Sequence, residues 1–232
     1  MPSIQKTARI AGILYLLMAP LGAFGILYIP TNIIVPDDAV ATAGNILADM
    51  WTFQLSAVSA LVTQVIQIFL VLFLYRVLTA ASKAHATLMV IFILVAVPIA
   101  MLNDGLHFVV LHLLSGAEYL RTFTEAQRQT LALLLLDWHE TGVQIASIFW
   151  GLWLLPMGYA IFKSGYLPRI LGILLMIGCF GYLFDSFTAL LLPDFGFTIA
   201  QFTFIGELLL PLWLLMKGVN VERWEKRALE IA

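Results

Sequence analysis

Apolar residues run along the chain in six long stretches, at about 8–29, 52–78, 87–114, 130–162, 169–192 and 199–217, with short polar segments between them. A helix that crosses a membrane needs about 20 mainly apolar residues at about 1.5 Å rise per residue. The pattern therefore predicts an all-α fold: a polytopic transmembrane helical bundle of six spans, one domain over residues 1–217, followed by a tail at 218–232. Lys6 and Arg9 precede the first stretch as in a signal peptide. Its apolar part is longer than the roughly 7 to 15 residues of a signal-peptide core and no convincing cleavage site follows, so it reads as the first span.

Composition agrees, because 62% hydrophobic residues, 11% charged residues and a mean hydropathy of +0.98 contrast with the roughly one quarter charged residues of soluble domains. The lone cysteine, Cys179, has no partner for an intrachain disulfide. The charges are unevenly placed. Lys6, Arg9, Arg76, Lys83, Lys163, Arg169, Lys217, Arg223, Lys226 and Arg227 fall at one set of span ends, and Arg121 and Arg128 at the other. Cytoplasmic loops carry the Lys and Arg excess, so both termini are expected in the cytoplasm. Trp224 among Arg223, Lys226 and Arg227 makes the tail an amphipathic surface helix at that interface. On the other face, residues 30–50 and 115–129 read as connecting loops with one amphipathic turn each, short helices over an outer mouth being the alternative. Thr124 to Gln127 forms a capping box that opens the fourth span.

One apolar run is interrupted: Leu133 to Gln144 reads LLLLDWHETGVQ. Measured from the outer end of each span, Asp137 and Glu140 lie about 10 and 15 Å deep, Asp104 about 15 Å, His107 about 10 Å, Asp185 about 10 Å and Glu207 about 12 Å. At about 100° per residue, Asp137, Glu140, Thr141 and Gln144 form one stripe, with Ser147 and Gly151 continuing it. Asn103, Asp104 and His107 form another, and His139 points away from the Asp137 stripe.

No Lys or Arg shares this layer with Asp104, Asp137, Glu140, Asp185 and Glu207. Ionisable groups within a span cost several kcal/mol unless paired, and like charges resist joint ionisation. The layer must hold protons, a bound cation, or water and hydrogen-bond partners such as Gln64, Gln67 and Thr203. Three readings follow. In the first, Asp104, His107, Glu140 and His139 ligate a divalent metal, for which zinc or iron suits mixed carboxylate and imidazole ligands. Asp137, Glu140 and Asp185 would then serve catalysis, with Asn103, Gln144, Glu207 and Gln64 lining a pocket for a small lipophilic or lipid substrate: a metal-dependent membrane hydrolase or oxidase. Against it, a di-iron bundle wants a pair of Glu-x-x-His motifs, and only Asp104-Gly-Leu-His107 approaches one. In the second, the acids couple protons to small-molecule transport; Pro98, Pro156 and Pro211 are expected to interrupt the third, fourth and sixth spans. In the third, the polar residues are non-catalytic glue of a structural or interaction protein.

Other functions are excluded. Every lysine sits at a span end or in a loop, where a retinal Schiff base cannot form, and one cysteine cannot run disulfide exchange. There is no phosphate-binding glycine loop and no nucleic-acid patch; the bilayer is the expected partner. His112 and His85 read as interfacial or solvated histidines. Ala8 and Gly12, Gly22 and Gly25, and Gly172, Gly178 and Gly181 mark close helix approaches.

The pieces Ala8-Arg-Ile-Ala-Gly-Ile-Leu-Tyr15, Ile34-Val-Pro-Asp-Asp-Ala39, Ser115-Gly-Ala-Glu-Tyr-Leu120, Leu136-Asp-Trp-His139, Ser164-Gly-Tyr-Leu-Pro-Arg169 and Gly181-Tyr-Leu-Phe-Asp-Ser186 resemble an uncharacterised family of bacterial multi-pass proteins known only as a domain of unknown function. The resemblance covers essentially the whole chain. It implies a bacterial inner-membrane protein and transfers no activity. Its pattern includes Asp137, His139, Asp185 and Ser186 but not His107, Glu140 or Glu207. That weighs against the metal reading and raises His139 above the rank its helix face assigns it.

Overall fold

A computed structural model describes residues 3–192 and 195–230, and among these the chain is helical with no strand. The helices are α1 (Ile4–Asn32), α2 (Ala39–Ala48), α3 (Met50–Leu78), α4 (Lys83–Asp104), α5 (Leu106–Leu114), α6 (Glu125–Leu152), α7 (Leu154–Ser164), α8 (Arg169–Leu191), α9 (Ala200–Thr203), α10 (Ile205–Met216) and α11 (Val221–Leu229), with a 3₁₀ turn at Glu118–Thr122. Five segments are long and apolar enough to cross a membrane: Ile4–Asn32, Met50–Leu78, Lys83–Leu114, Glu125–Ser164 and Arg169–Leu191. A sixth follows if Ala200–Met216 and Val221–Leu229, bent by 101° from each other, are counted together as one span. The observed helices overlap the six predicted stretches, and α11 lies within the predicted tail; residues 1–2, 193–194 and 231–232 of the predicted bundle and tail lie outside the described residues.

Local chemistry sets the element ends. Gln127 N donates to Thr124 Oγ1 at 3.3 Å and Thr124 N to Gln127 Oε1 at 2.9 Å, the reciprocal capping box expected ahead of α6. Between the first two long helices a helix forms where a connecting loop was expected: Asp38 Oδ1 accepts from Ala41 N at 2.8 Å and starts α2. The prolines meet the expectation in one span of three. α6 and α7 are interrupted at Trp153, three residues before Pro156, which has no N–H for the Leu152 carbonyl. Pro98 and Pro211 lie inside α4 and α10, and the other interruptions fall at Gly105 and Phe204.

The chain divides into two compact units. One comprises Ala19–Gln64 and Ile99–Val143. In it α1 and α3 meet through small residues. A Cβ added at Gly25 would lie 2.7 Å from Ala60 Cα, and Ser56 and Ser59 donate to the carbonyls of Phe24 and Leu21 at 2.8 and 2.9 Å. Ile29, Ile33, Ile46, Phe53, Val110 and Leu136 form its buried cluster.

The other unit comprises Met1–Met18, Val65–Pro98 and Gln144–Ala232. Here α7 and α8 cross where Gly158 and Gly172 face each other's backbone. The Gln5 side chain closes the end of α10, donating to Lys217 O at 2.9 Å and accepting from Val219 N at 3.0 Å. The Val77 carbonyl accepts both the Tyr166 hydroxyl at 2.7 Å and Trp224 Nε1 at 2.9 Å.

Candidate functional site

A break in a helix builds the site. At Gly105 the hydrogen-bond ladder shortens, Phe108 N donating to Gly105 O, three residues back, at 3.1 Å. The Asp104 carbonyl is met instead by a side chain, His107 Nδ1, at 3.2 Å. That contact is a hydrogen bond when Nδ1 carries the proton, which leaves Nε2 as a bare lone pair. From α6, His139 Nε2 lies 3.3 Å from Asp104 Oδ1. The two imidazole rings stand 4.1 Å apart, centroid to centroid, and Phe53 meets His107 edge-on at 5.4 Å.

Asn103, beside Asp104, donates from Nδ2 to the His139 carbonyl at 2.8 Å. It can approach because position 142 is glycine: a Cβ there would collide with the Asn103 amide. Asn103, Asp104, His107 and His139 are all buried. Within this cluster Asp104 Oδ2 and His107 Nε2 have no partner. Two buried acceptor atoms without a donor are costly unless something positive or protic satisfies them.

The remaining sequence candidates fall elsewhere. The α6 stripe is turned the other way from expectation: Asp137 and Thr141 are exposed and Glu140 and Gln144 half-buried, whereas His139 is buried. Gln64 is buried with Oε1 unpartnered. Asp185 caps a helix, its two oxygens accepting Ile199 N and Ala200 N at 2.8 Å each ahead of α9. Glu207 accepts the Tyr15 hydroxyl at 2.8 Å, with Tyr182 beside the same carboxylate and the Trp153 ring packed on Tyr15, tilted by 50°, at 5.8 Å. Tyr15 was not among the sequence candidates; only its place in an apolar span with a polar tip marks it. His112 is exposed against Tyr119, and His85, half-buried, stacks on Tyr159. Among the described residues no group of three or more His, Cys, Asp or Glu side chains is placed to hold a metal ion.

A family described as "Domain of unknown function (DUF4386)" matches residues 10–218. An uncharacterized protein of Archaeoglobus fulgidus is 37% identical over 76 residues, 33% of this chain and 46% of that protein. The match thus spans about half the relative's length, and its source is an archaeon. No solved structure matches.

Proposed function

Because the chain belongs to the DUF4386 family, whose description names no activity, function has to be read from the site, and we propose that it is a proton-coupled membrane carrier of a small lipophilic solute, with Asp104, His107 and His139 as the proton-binding centre. One observation carries this reading: the buried cluster has two acceptor atoms, Asp104 Oδ2 and His107 Nε2, and no donor for either. Among the described residues no Lys or Arg is paired with Asp104, so a negative charge on its carboxyl has no Lys or Arg to answer it. A proton bound there would remove the charge and supply a donor at one of the two unpartnered atoms. Ionisable residues in membrane bundles characteristically mark such proton sites, and the helix break at Gly105 supplies the local irregularity that carriers use.

The metal-dependent hydrolase or oxidase is the weaker reading, since a catalytic zinc takes three protein ligands and no such group gathers among the described residues. The partition of Lys and Arg supports cytoplasmic termini, and the family resemblance supports a bacterial inner membrane as the location.

The test is uptake of a panel of radiolabelled lipophilic amines into proteoliposomes under an imposed pH gradient. The parent and a Glu222→Gln control are expected to take up a member of the panel only with the gradient present, and Asp104→Asn to lose uptake. Equal uptake by parent and Asp104→Asn overturns the reading. So does stoichiometric zinc or iron in the purified parent that Asp104→Asn loses, which restores the enzyme.

A further inference from the structure

Where α3 ends at Leu78 and α4 begins at Lys83, the second compact unit has an open cavity of about 490 Å³. Tyr75, Arg76, Thr79 and Lys83 line one side, and Trp224 and Ala228, one turn apart on α11, line the other. The wall made by α11 is pinned. The chain turns by 101° before it, Trp224 Nε1 is held on the Val77 carbonyl, Asn220 caps its first turn by accepting from Arg223 N at 3.0 Å, and Arg223 Nη1 donates to Gly165 O at 3.2 Å. The cavity therefore lies at the ends of two candidate spans, at the edge of the apolar layer whichever way the chain is oriented.

Its charge is unanswered. Arg76 and Lys83 both face it, and among the described residues the ion pairs are Arg121 with Glu118, His139 with Asp104 and Arg227 with Glu230, so neither cation has a carboxylate. Lys83 is also the first residue of α4, where the helix dipole adds positive potential. On α3, Leu72 and Phe69 lie about one and two turns before Arg76 on the same face, and both are exposed. An apolar track thus leads away from the two cations along the span. A free anion would use the cations alone; a lipid uses cations and track together.

The geometry points to a binding site for an anionic phospholipid, its phosphate between Arg76 and Lys83, Trp224 and Tyr75 at headgroup level and an acyl chain along Leu72 and Phe69. Tyr and Trp commonly occupy that level, and basic pockets at span ends recognise anionic headgroups. The proposal does not rest on the carrier reading.

The test is thermal unfolding of the detergent-purified full chain with phosphatidylglycerol, phosphatidylcholine or inorganic phosphate added, beside native mass spectrometry of the lipid that co-purifies. At about tenfold excess over its dissociation constant, phosphatidylglycerol is expected to raise the melting temperature by about 4 °C, and the other two not to raise it. Arg76→Gln with Lys83→Gln is expected to lose both the shift and the retained lipid, whereas Arg76→Lys keeps them. A double variant that fails to fold is replaced by Leu72→Gln, which is expected to reduce the shift while leaving both cations in place. An equal shift from phosphatidylcholine, an equal shift from inorganic phosphate, or an undiminished shift in the double variant or its substitute overturns the site.

Discussion

His139 and Asp137 stand two residues apart on α6 and have opposite fates. The bundle buries His139 against Asp104 and leaves Asp137 exposed. Helical geometry states correctly that the two point apart but not which of them points inward. The energetic consequence is asymmetric. Truncating His139 to alanine removes the imidazole nitrogen 3.3 Å from a buried carboxyl oxygen, which is a donor when Nε2 carries the proton, and is expected to cost about 2 to 3 kcal/mol. Asp137→Asn, on an exposed position, is expected to stay within about 0.5 kcal/mol of the parent. Denaturant unfolding in detergent micelles measures both, and equal losses would refute the buried pairing. Asn103, Asp104 and His107 were legible as candidates from their polar character inside an apolar run. Their bonding partners were not, because these belong to another helix.

At the scale of the element, helix termini were the most legible feature, since a cap is a contact between residues three apart. The capping box at Thr124 and Gln127 is the plainest case. Asp49 does the same for α3: hydrogen bonding from the Thr52 side chain, and from Thr52 N to Asp49 Oδ1 at 3.1 Å, holds the carboxyl below its usual range. A folded-state value below the unfolded one means that the ionised cap stabilises at neutral pH and that this contribution is lost as pH falls through the folded-state value. Asp49→Ala is accordingly expected to lower the melting temperature at about pH 7, by an amount that shrinks as the solution is acidified through the folded-state value of the carboxyl. A difference that persists in acid would show that charge on the cap is irrelevant. The helix breaks at Gly105 and Phe204 were illegible for a related reason. The sequence points to prolines, yet Pro98 and Pro211 stay within their helices while Gly105 and Phe204 interrupt theirs. A proline removes one bond of a long ladder, and neighbouring helices can make good that loss in a membrane. The break at Gly105 sits where the His107 side chain offers the Asp104 carbonyl a competing partner.

For the molecule as a whole, the outer surface is apolar: Leu102, Phe180 and Trp138 are each more than half exposed, which a multi-pass membrane chain requires and a soluble one would not tolerate. A charge placed there meets hydrocarbon, so Phe180→Asp is expected to cost about 2.5 to 3.5 kcal/mol in insertion of the α8 segment, read from the inserted fraction in a translocation assay. Unchanged insertion would mean that Phe180 does not face lipid. The length and helical nature of the spans follow from the sequence alone, because a run of about 20 apolar residues must satisfy its own backbone hydrogen bonds in lipid and only a helix does so locally. The rotation of each helix about its axis does not follow, because lipid and bundle interior are both apolar and hydrophobic periodicity cannot tell one from the other. Only the packing of Gly25 on Ala60, Gly142 on Asn103 and His139 on Asp104 turns particular faces inward, and so only the tertiary structure decided which of the chain's acids and histidines share a site.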